Sequence, residues 1–434
     1  MRKMVFVTTI IAFIGFSANK DKEIKVSENN YNQAKLAFSE LKEVLKKDNG
    51  RLWDYPLDGG ILLINRETRT IIANESDTNN ELVKYKDYYI GKFPDNLNIA
   101  NSSVDWNNRL WTMVAFPLSE LKAERLNILI HESFHRIQPL IGFDSINEIQ
   151  NTHLDTKQGR IYLKLELEAL KQALNSDKPE EHITHALLFR QYRYQVFPEA
   201  KISENSLEIK EGLAEYTGAI LSGRSAIDLK KHFGSAIDWF YTFPTFVRSF
   251  AYCTIPIYGF FIQHADDAWN LKINKHTNLT DFILEFYKAK RSNISEKEIL
   301  WIGKGYSMDS IIKVEQIREL QQVEQIKKYK QHFLGDSIIK IRLENMRIGF
   351  SPSNLIPLDS FGTVYPNLRI TDNWGILEVD SCGALVSSDW MFVTISYPNL
   401  ITDTLIQGKG YKLKLNKQWI LHKENQRFEL IKKY

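Results

Sequence analysis

The sequence predicts an α+β fold with a small β-containing N-terminal lobe, a mainly helical middle and a C-terminal all-β sandwich or barrel. Three observations lead to this prediction. Two apolar, β-rich runs around a short polar turn at 61–73 indicate a hairpin. Apolar residues then recur at helical intervals over much of 119–334. From about residue 335, short β-rich runs separated by turn signals replace the helical pattern.

The length of 434 residues allows two or three domains with buried cores, since a domain averages roughly 150 residues. We predict a signal peptide at 1–18, a first folded domain at 19–334 and a C-terminal β domain at 335–434. Within the first domain, the β lobe covers about 50–118 and the helical part about 119–334.

The N-terminus has the order of a secretory signal peptide. Arg2 and Lys3 give a basic start, residues 4–16 carry no charge, and small residues precede a polar run at 19–22. The uncharged stretch is shorter than the roughly 20 residues that span a bilayer. The sequence therefore predicts a secreted protein, periplasmic or extracellular, with no stable membrane span after cleavage. An uncleaved N-terminal membrane anchor is the alternative.

The individual elements follow from local periodicity and breakers. A helix at 30–48 is ended by Asn49 and Gly50, and a strand at 109–116 is closed by Pro117. Further helices are predicted at 119–139, 157–175, 180–196, 204–222, 244–268, 281–291 and 308–334.

Charge and cysteine usage exclude nucleic-acid binding and several kinds of cysteine site. The 56 Lys and Arg residues nearly balance 53 Asp and Glu residues, which leaves a net charge of +3 and no electrostatic footprint for nucleic acid. Cys253 and Cys382 form no CxxC pair. A thiolate zinc site, a thioredoxin-like motif and a disulfide framework are therefore excluded.

The segment 126–137, LNILIHESFHRI, contains the pattern HExxH. On a helix, His131 and His135 lie on one face and can bind one ion. Zinc accepts histidine nitrogen and tolerates a tetrahedral site with one open position. Glu132 lies where it can take a proton from a water molecule that the ion acidifies. The alternative is a pair of core histidines with hydrogen-bond partners.

A site with two histidines needs a third ligand. Glu148 and His153 are near in sequence, but the segment 208–218 is the stronger candidate, because carboxylates recur along one face of this partly buried helix. Such carboxylates repel one another unless a positive charge is present, which a metal and its histidines would supply. The alternative is a solvated acidic stripe. The series consists of Glu204, Glu208, Glu211 and Glu215.

HESFH followed by KEGLAEY resembles the gluzincin metallopeptidases, the thermolysin-like and aminopeptidase-N-like group. The resemblance implies a zincin-like fold in which His131, His135 and Glu211 bind Zn²⁺ and Glu132 is the general base. It also implies that Glu215 orients a ligand histidine from behind, and we expect Glu208 in the same supporting position.

The resemblance covers about residues 105–265 and departs from the family in two respects. Glu211 follows His135 by 76 residues, a far longer spacing than in those groups, so 140–203 would be a helical insertion and the place for a lid. Lys210 stands where the family motif has Asn. There is also no substrate-amine motif of the aminopeptidase kind, so the resemblance does not imply an aminopeptidase specificity.

Two further elements complete the expected site. Gluzincins bind the substrate backbone along a sheet edge, and 109–116 stands in the corresponding place, although it fits an ordinary core strand equally well. Tyr252 resembles the tyrosine that stabilises the oxyanion in the aminopeptidase group, with Tyr258 as a second choice.

Other polar residues support simpler interpretations. His182 and His185 are interpreted as a surface pair. Arg190 and Arg193 either balance the acidic series or bind a substrate carboxylate.

The sequence therefore predicts a secreted zinc metallopeptidase that acts on peptide or protein substrates, of unknown oligomeric state. One alternative is a zinc-binding scaffold without peptidase activity. Another is a binding protein whose C-terminal β domain recognises a glycan or a protein. A metal-dependent hydrolase that acts on a different bond would use the same residues.

Overall fold

The predicted α+β class is confirmed. An N-terminal sheet, a helical middle and antiparallel C-terminal sheets follow one another along the chain. The predicted signal peptide at 1–18 lies outside the described residues. The structure is a computed structural model that describes residues 25–289, 293–335, 337–351, 354–380, 382–424 and 427–432.

The N-terminal lobe is a helix and a six-stranded sheet of order β3-β4-β2-β1-β6-β5. Strands β1 and β6 run parallel, and the other neighbours are antiparallel. The predicted helix, hairpin and strand are all present. The elements are α1 (Glu28–Asp48), β1 (Ile61–Asn65), β2 (Thr70–Ala73), β3 (Val83–Tyr85), β4 (Tyr88–Lys92), β5 (Ser102–Trp106) and β6 (Arg109–Phe116).

Strand β6 is an interior strand, because it pairs with β1 on one side and with β5 on the other. The expectation that a substrate pairs with the edge of 109–116 is therefore wrong, and β5 is the edge strand on this side of the sheet. Both faces of the sheet are covered. In β1, Ile61 and Leu63 pack into the large helical core, whereas Leu62 and Ile64 pack into a second core on the opposite face.

Most of the predicted helices of the middle are present, but two further helices, at Ala226–Phe240 and Glu296–Gly303, are not predicted by the sequence. The predicted helix at 204–222 is divided by a π-helical turn at Glu208–Gly212, and the one predicted at 244–268 is shorter. No described helix combines the length and the apolar character needed to cross a bilayer. The helices are α2 (Lys122–Ile137), α3 (Lys157–Asn175), α4 (Pro179–Val196), α5 (Ala200–Leu207), α6 (Leu213–Leu221), α7 (Ala226–Phe240), α8 (Ala251–Gln263), α9 (Leu279–Phe286), α10 (Glu296–Gly303) and α11 (Met308–Phe333).

Glycines allow the segment from the π-helical turn to α6 to approach its neighbours closely. A Cβ atom at Gly218 would lie 2.7 Å from the carbonyl oxygen of Asn127 on α2 and 3.3 Å from the Cβ atom of His131. A Cβ atom at Gly212 would lie 2.8 Å from the Cβ atom of Ile255 on α8. Because any larger side chain would push these helices apart, the glycines set how near the carboxylates of this segment come to α2.

The C-terminal region consists of a five-stranded sheet of order β7-β14-β13-β10-β9, a six-stranded sheet of order β15-β16-β17-β12-β11-β8, and a hairpin of β18 and β19. Ile339 and Ile395 of the first sheet share one core with Ile370 and Leu413 of the second, as expected of a sandwich. The strands are β7 (Ile338–Arg342), β8 (Arg347–Phe350), β9 (Ile356–Pro357), β10 (Thr363–Tyr365), β11 (Leu368–Asp372), β12 (Gly375–Val379), β13 (Ala384–Val386), β14 (Phe392–Ser396), β15 (Pro398–Ile401), β16 (Leu405–Gly408), β17 (Tyr411–Leu415), β18 (Trp419–Glu424) and β19 (Arg427–Lys432).

The sandwich contacts the N-terminal lobe through a polar seam. Arg369 on β11 donates to the side-chain oxygen of Asn98 and to the carbonyl oxygen of Asp95, each at 2.8 Å. Thr371 donates to the carbonyl oxygen of Asn96 at 3.2 Å. The sandwich also packs on α11, where Phe333 shares a small apolar core with Val364 and Leu385, so the C-terminal strands contact both the lobe and the helical middle.

Candidate metal centre

Three possible metal-binding atoms, from two helical segments, lie close together. The Nε2 atoms of His131 and His135 on α2 lie 3.1 Å apart. Oε2 of Glu211, from the π-helical turn, lies 3.7 Å from the first and 3.3 Å from the second. A tetrahedral zinc ion with bonds of about 2.0–2.1 Å requires donors about 3.3–3.4 Å apart. The triangle of donor atoms therefore fits one zinc ion, with a fourth position left for another ligand.

Each histidine is held through its other ring nitrogen. Nδ1 of His131 lies 2.8 Å from Oε2 of Glu215, whose second oxygen accepts from the Asn127 side chain at 3.0 Å. Nδ1 of His135 lies 2.7 Å from Oε1 of Gln138. These contacts suit histidines that donate from Nδ1 and leave Nε2 free as a ligand atom, the arrangement common around metal sites.

Glu132 supplies an unsatisfied carboxylate oxygen beside the histidines. Its side chain is buried, and its Oε2 atom has no hydrogen-bond partner among the described residues. Ligand atoms of His131, Glu132 and His135 all lie within 4.8 Å of one another. Of the two nearby carboxylates, Glu211 is the better ligand candidate because its oxygen contacts both Nε2 atoms. Buried carboxylate oxygens are normally paired, so the Oε2 atom of Glu132 suits a water molecule or substrate group bound at the centre.

The histidines and carboxylates of the cluster shift one another's pKa values. Burial opposes the charged form of His131, but hydrogen bonds with Glu211 and Glu215 raise its pKa well above the usual value. Burial likewise opposes ionisation of Glu211, but His131 and His135 bring its pKa well below the usual value. Burial raises the pKa of Glu132. Glu211 and Glu215 thus favour a positive charge on His131. A cation bound between the histidines would supply that positive charge in place of a proton.

Tyr252 lies at the cluster, as the sequence analysis expected. Its hydroxyl donates to Oε2 of Glu211 at 2.6 Å, and its ring stacks on the imidazole of His131 with centroids 5.5 Å apart. Tyr258, the second choice, is fully buried and donates to Glu166 at 3.0 Å instead. Of the two tyrosines, Tyr252 is therefore the one in a position to act on a ligand at the cluster.

Glu208 does not lie behind the ligands, contrary to the expectation from its spacing. Its carboxylate accepts from Arg190 at 2.7 and 3.0 Å and from Thr254 at 2.6 Å. Glu204 similarly accepts from Arg193 at 2.7 and 2.6 Å. The π-helical turn is the physical reason, because its wider winding places Glu211 on a different side from Glu208. The two arginines therefore balance half of the acidic series.

The remaining candidates lie away from the two histidines. Glu148 accepts from Lys210 and Arg248, and Nε2 of His153 contacts Glu204 at 2.8 Å. His182 and His185 are half-buried rather than on the surface, and both contact the hydroxyl of Tyr306, at 2.8 and 2.7 Å.

Sequence reasoning assigned no role to two residues that hold the site together, Gln138 and Asn127. Besides contacting His135, the Gln138 side chain donates to the carbonyl oxygen of Lys210 at 2.9 Å, which links α2 to the π-helical turn. Gln138 stands three residues after His135, and Asn127 stands four residues before His131. These helical spacings were the available signal, since they place both polar side chains near the histidines.

Comparisons with protein-family models, with curated proteins and with solved structures found no match. The fold and the cluster define an α+β protein with a histidine–carboxylate centre between two helical segments.

Proposed function

We propose that the chain is a zinc-dependent metallopeptidase of gluzincin type, exported by its N-terminal segment, that hydrolyses peptide bonds. The observation that supports it most is the triangle of donor atoms from His131, His135 and Glu211. Beside it lies the oxygen of Glu132 that has no partner in the described part of the chain. Two histidines and a glutamate, with a further carboxylate next to an open position, form one of the donor sets that support zinc hydrolysis.

Each residue of the candidate site has its own role in the proposed reaction. His131, His135 and Glu211 would hold Zn²⁺. The ion would polarise the scissile carbonyl and make a water molecule more acidic. Glu132 accepts the proton of the attacking water through its free oxygen and passes it to the leaving amine. The Tyr252 hydroxyl donates to Oε2 of Glu211 in this structure. Once that oxygen binds the ion, the hydroxyl would be free to donate to the oxygen that becomes negative in the transition state.

Metal binding tests the first half of the proposal. The protein from residue 19 onward, dialysed against metal-free buffer, should retain about one zinc ion per chain by elemental mass spectrometry. His135→Ala should lose it, because Nε2 of His135 forms one corner of the donor triangle. His182→Ala, which changes a helical histidine outside the cluster, should keep it. Failure of the unaltered protein to take up zinc on titration would make the two histidines structural.

The residue that orients His135 should affect zinc affinity. Gln138→Ala removes the acceptor 2.7 Å from Nδ1 of His135 and the bond to Lys210. We expect about 10–100-fold weaker zinc binding, measured by competition with a chelator. Gln172→Ala is the matched control, because Gln172 bonds to the backbone of Gly305 instead. Equal affinities in the two variants would contradict the supporting role of Gln138.

Hydrolysis tests the second half of the proposal. The zinc-loaded protein should cleave unfolded protein substrates, and cleavage should stop when a chelator removes the ion. One bound zinc ion with no cleavage of a broad peptide panel would instead favour a scaffold, or a hydrolase acting on another bond.

A further inference from the structure

A cavity of about 200 Å³ lies between the C-terminal sandwich and the helical middle. Asn151 and Arg248 line it on the helical side, and Phe350, Tyr365 and Trp390 line it on the side of the sandwich. It exceeds the roughly 150 Å³ of a protein cavity that accommodates benzene. The space is therefore large enough for an aromatic side chain, and it is enclosed by two separate parts of the chain.

This cavity lies beside the metal centre. Leu207, which lines it, stands four residues before Glu211 in the same helical run. Glu148, which also lines it, accepts from Arg248 and from Lys210, the neighbour of Glu211. Burial opposes the charge of Arg248, but Glu148, with smaller contributions from Glu211 and Tyr252, raises its pKa. The cavity and the metal centre therefore share the helical run from Leu207 to Glu211 and are linked by the ion pairs of Glu148.

Asn151, one of the residues that line the cavity, has a buried hydrogen-bond acceptor without a partner among the described residues. Asn151 is only 1% exposed, and its Oδ1 atom has no partner within the part of the chain that the structure describes. Its amide nitrogen has only a long contact of 3.5 Å, to the carbonyl oxygen of Ile149. Buried acceptors are normally paired, so the group that fits this position carries an N–H or O–H donor.

The wall formed by the sandwich is aromatic. Tyr365 lies edge-on to Phe350 and to Trp390, with centroids 5.1 and 6.1 Å apart. Trp390 has a φ of 58°, a backbone conformation that bulky residues rarely adopt, and it remains 36% exposed. Rings attract a further ring placed at their edges or faces, and the guanidinium of Arg248 favours a ring as well. The lining therefore suits an aromatic group with a donor.

We propose that this cavity is the specificity pocket for one tyrosine or tryptophan residue of the peptide substrate, whose O–H or N–H donates to Oδ1 of Asn151. The assignment to a peptide substrate rests on the proposed function. The C-terminal sandwich then contributes Phe350, Tyr365 and Trp390 to substrate selection.

Binding of small amides tests the pocket without hydrolysis. The probes are the N-acetyl amides of tyrosine, tryptophan, phenylalanine and leucine, titrated by NMR into the Glu132→Gln protein with and without zinc. We expect the tyrosine and tryptophan amides to bind about fivefold more tightly than the phenylalanine amide, which lacks the donor. The leucine amide should bind about tenfold more weakly than the tyrosine amide, because it lacks the ring.

Variants of the lining give the matched comparison. Trp390→Ala should weaken binding of the aromatic amides about tenfold, whereas Trp301→Ala, at a tryptophan 74% exposed on α10, should leave it unchanged. Asn151→Ala should bind the tyrosine and phenylalanine amides equally. If Asn151→Ala fails to fold, Trp390→Ala still decides, because its side chain is partly exposed.

The outcomes separate the pocket from the peptidase. Equal binding of all four amides, or a tyrosine preference that survives Trp390→Ala, overturns the pocket. If the wild type and Trp390→Ala both cleave proteins, and with the same preference for aromatic residues, the pocket is overturned and the peptidase proposal stands. Binding that depends on Trp390 and Asn151 in a protein that cleaves no peptide supports the pocket and overturns the peptidase.

Discussion

Replacing Glu132 with glutamine is expected to lower kcat by about 10²–10⁴-fold, while zinc stays at about one ion per chain. Glutamine keeps the shape of the side chain but cannot accept a proton. The residue is not one of the three donors of the triangle, and its Oε2 atom is unpartnered among the described residues. The change should therefore remove proton transfer and leave the donors of His131, His135 and Glu211 in place.

The measurement compares kcat, zinc content and Tm of this variant with those of Glu120→Gln, which changes an exposed carboxylate just before α2. The control should match the unaltered protein in all three. Retained turnover in Glu132→Gln would contradict the mechanism. Loss of zinc instead of turnover alone would mean that Glu132 is itself a ligand, in place of Glu211.

Replacing Arg190 with methionine is expected to lower the free energy of unfolding by about 3–5 kcal/mol. The Arg190 guanidinium is fully buried and donates to Glu166 at 2.7 Å, to both oxygens of Glu208 and to Thr280 at 3.1 Å. Methionine fills much of the space but leaves two buried carboxylates with less compensation. Removing one charge of a buried cluster lowers the free energy of unfolding by more than the intact cluster added to it, because the remaining charges are buried without a partner.

Urea unfolding measures this effect, with Arg66→Met as the control, at an exposed arginine in the turn between β1 and β2. The control should stay within about 0.5 kcal/mol of the unaltered protein. A change of similar size in both variants would mean that the arginine cluster does not stabilise the fold. Where Arg190→Met is folded it should still bind zinc, because the described contacts of Arg190 are made to other residues.

Local sequence patterns predicted the features of this fold that depend on local geometry. The helix of the HExxH motif and the helix at 157–175 have strong apolar periodicity, and both are present. Helix α10 is short and ends at Gly303, which weakens any periodic signal, and it was not predicted. Strand β5 is a polar stretch, SSVDW, without clear alternation. Because β5 was missed, β6 could be taken for an edge strand.

In the candidate site, too, the features set by one helix could be predicted and those set by packing between helices could not. The proximity of His131 and His135 follows from the geometry of one helix, so it could be predicted from sequence. Charge pointed only to the series of four carboxylates, and the resemblance of KEGLAEY to the gluzincin motif singled out Glu211, which contacts the histidines. The partner of Glu208 could not be found this way, because Arg190 approaches from another helix. Pairing between helices depends on tertiary packing, which periodicity does not contain.

Because of the π-helical turn at Glu208–Gly212, the site depends on how many residues separate the arginine cluster from the metal centre. In an α-helix each residue adds about 100° of rotation, so one residue gained or lost turns everything beyond it by that angle. The turn widens the winding at the point where the helix passes from the arginine cluster to the two histidines. A deletion that restored regular winding would keep every acidic residue and yet rotate Glu211 and Glu215 out of phase with α2. The length of this segment is thus as informative as its composition.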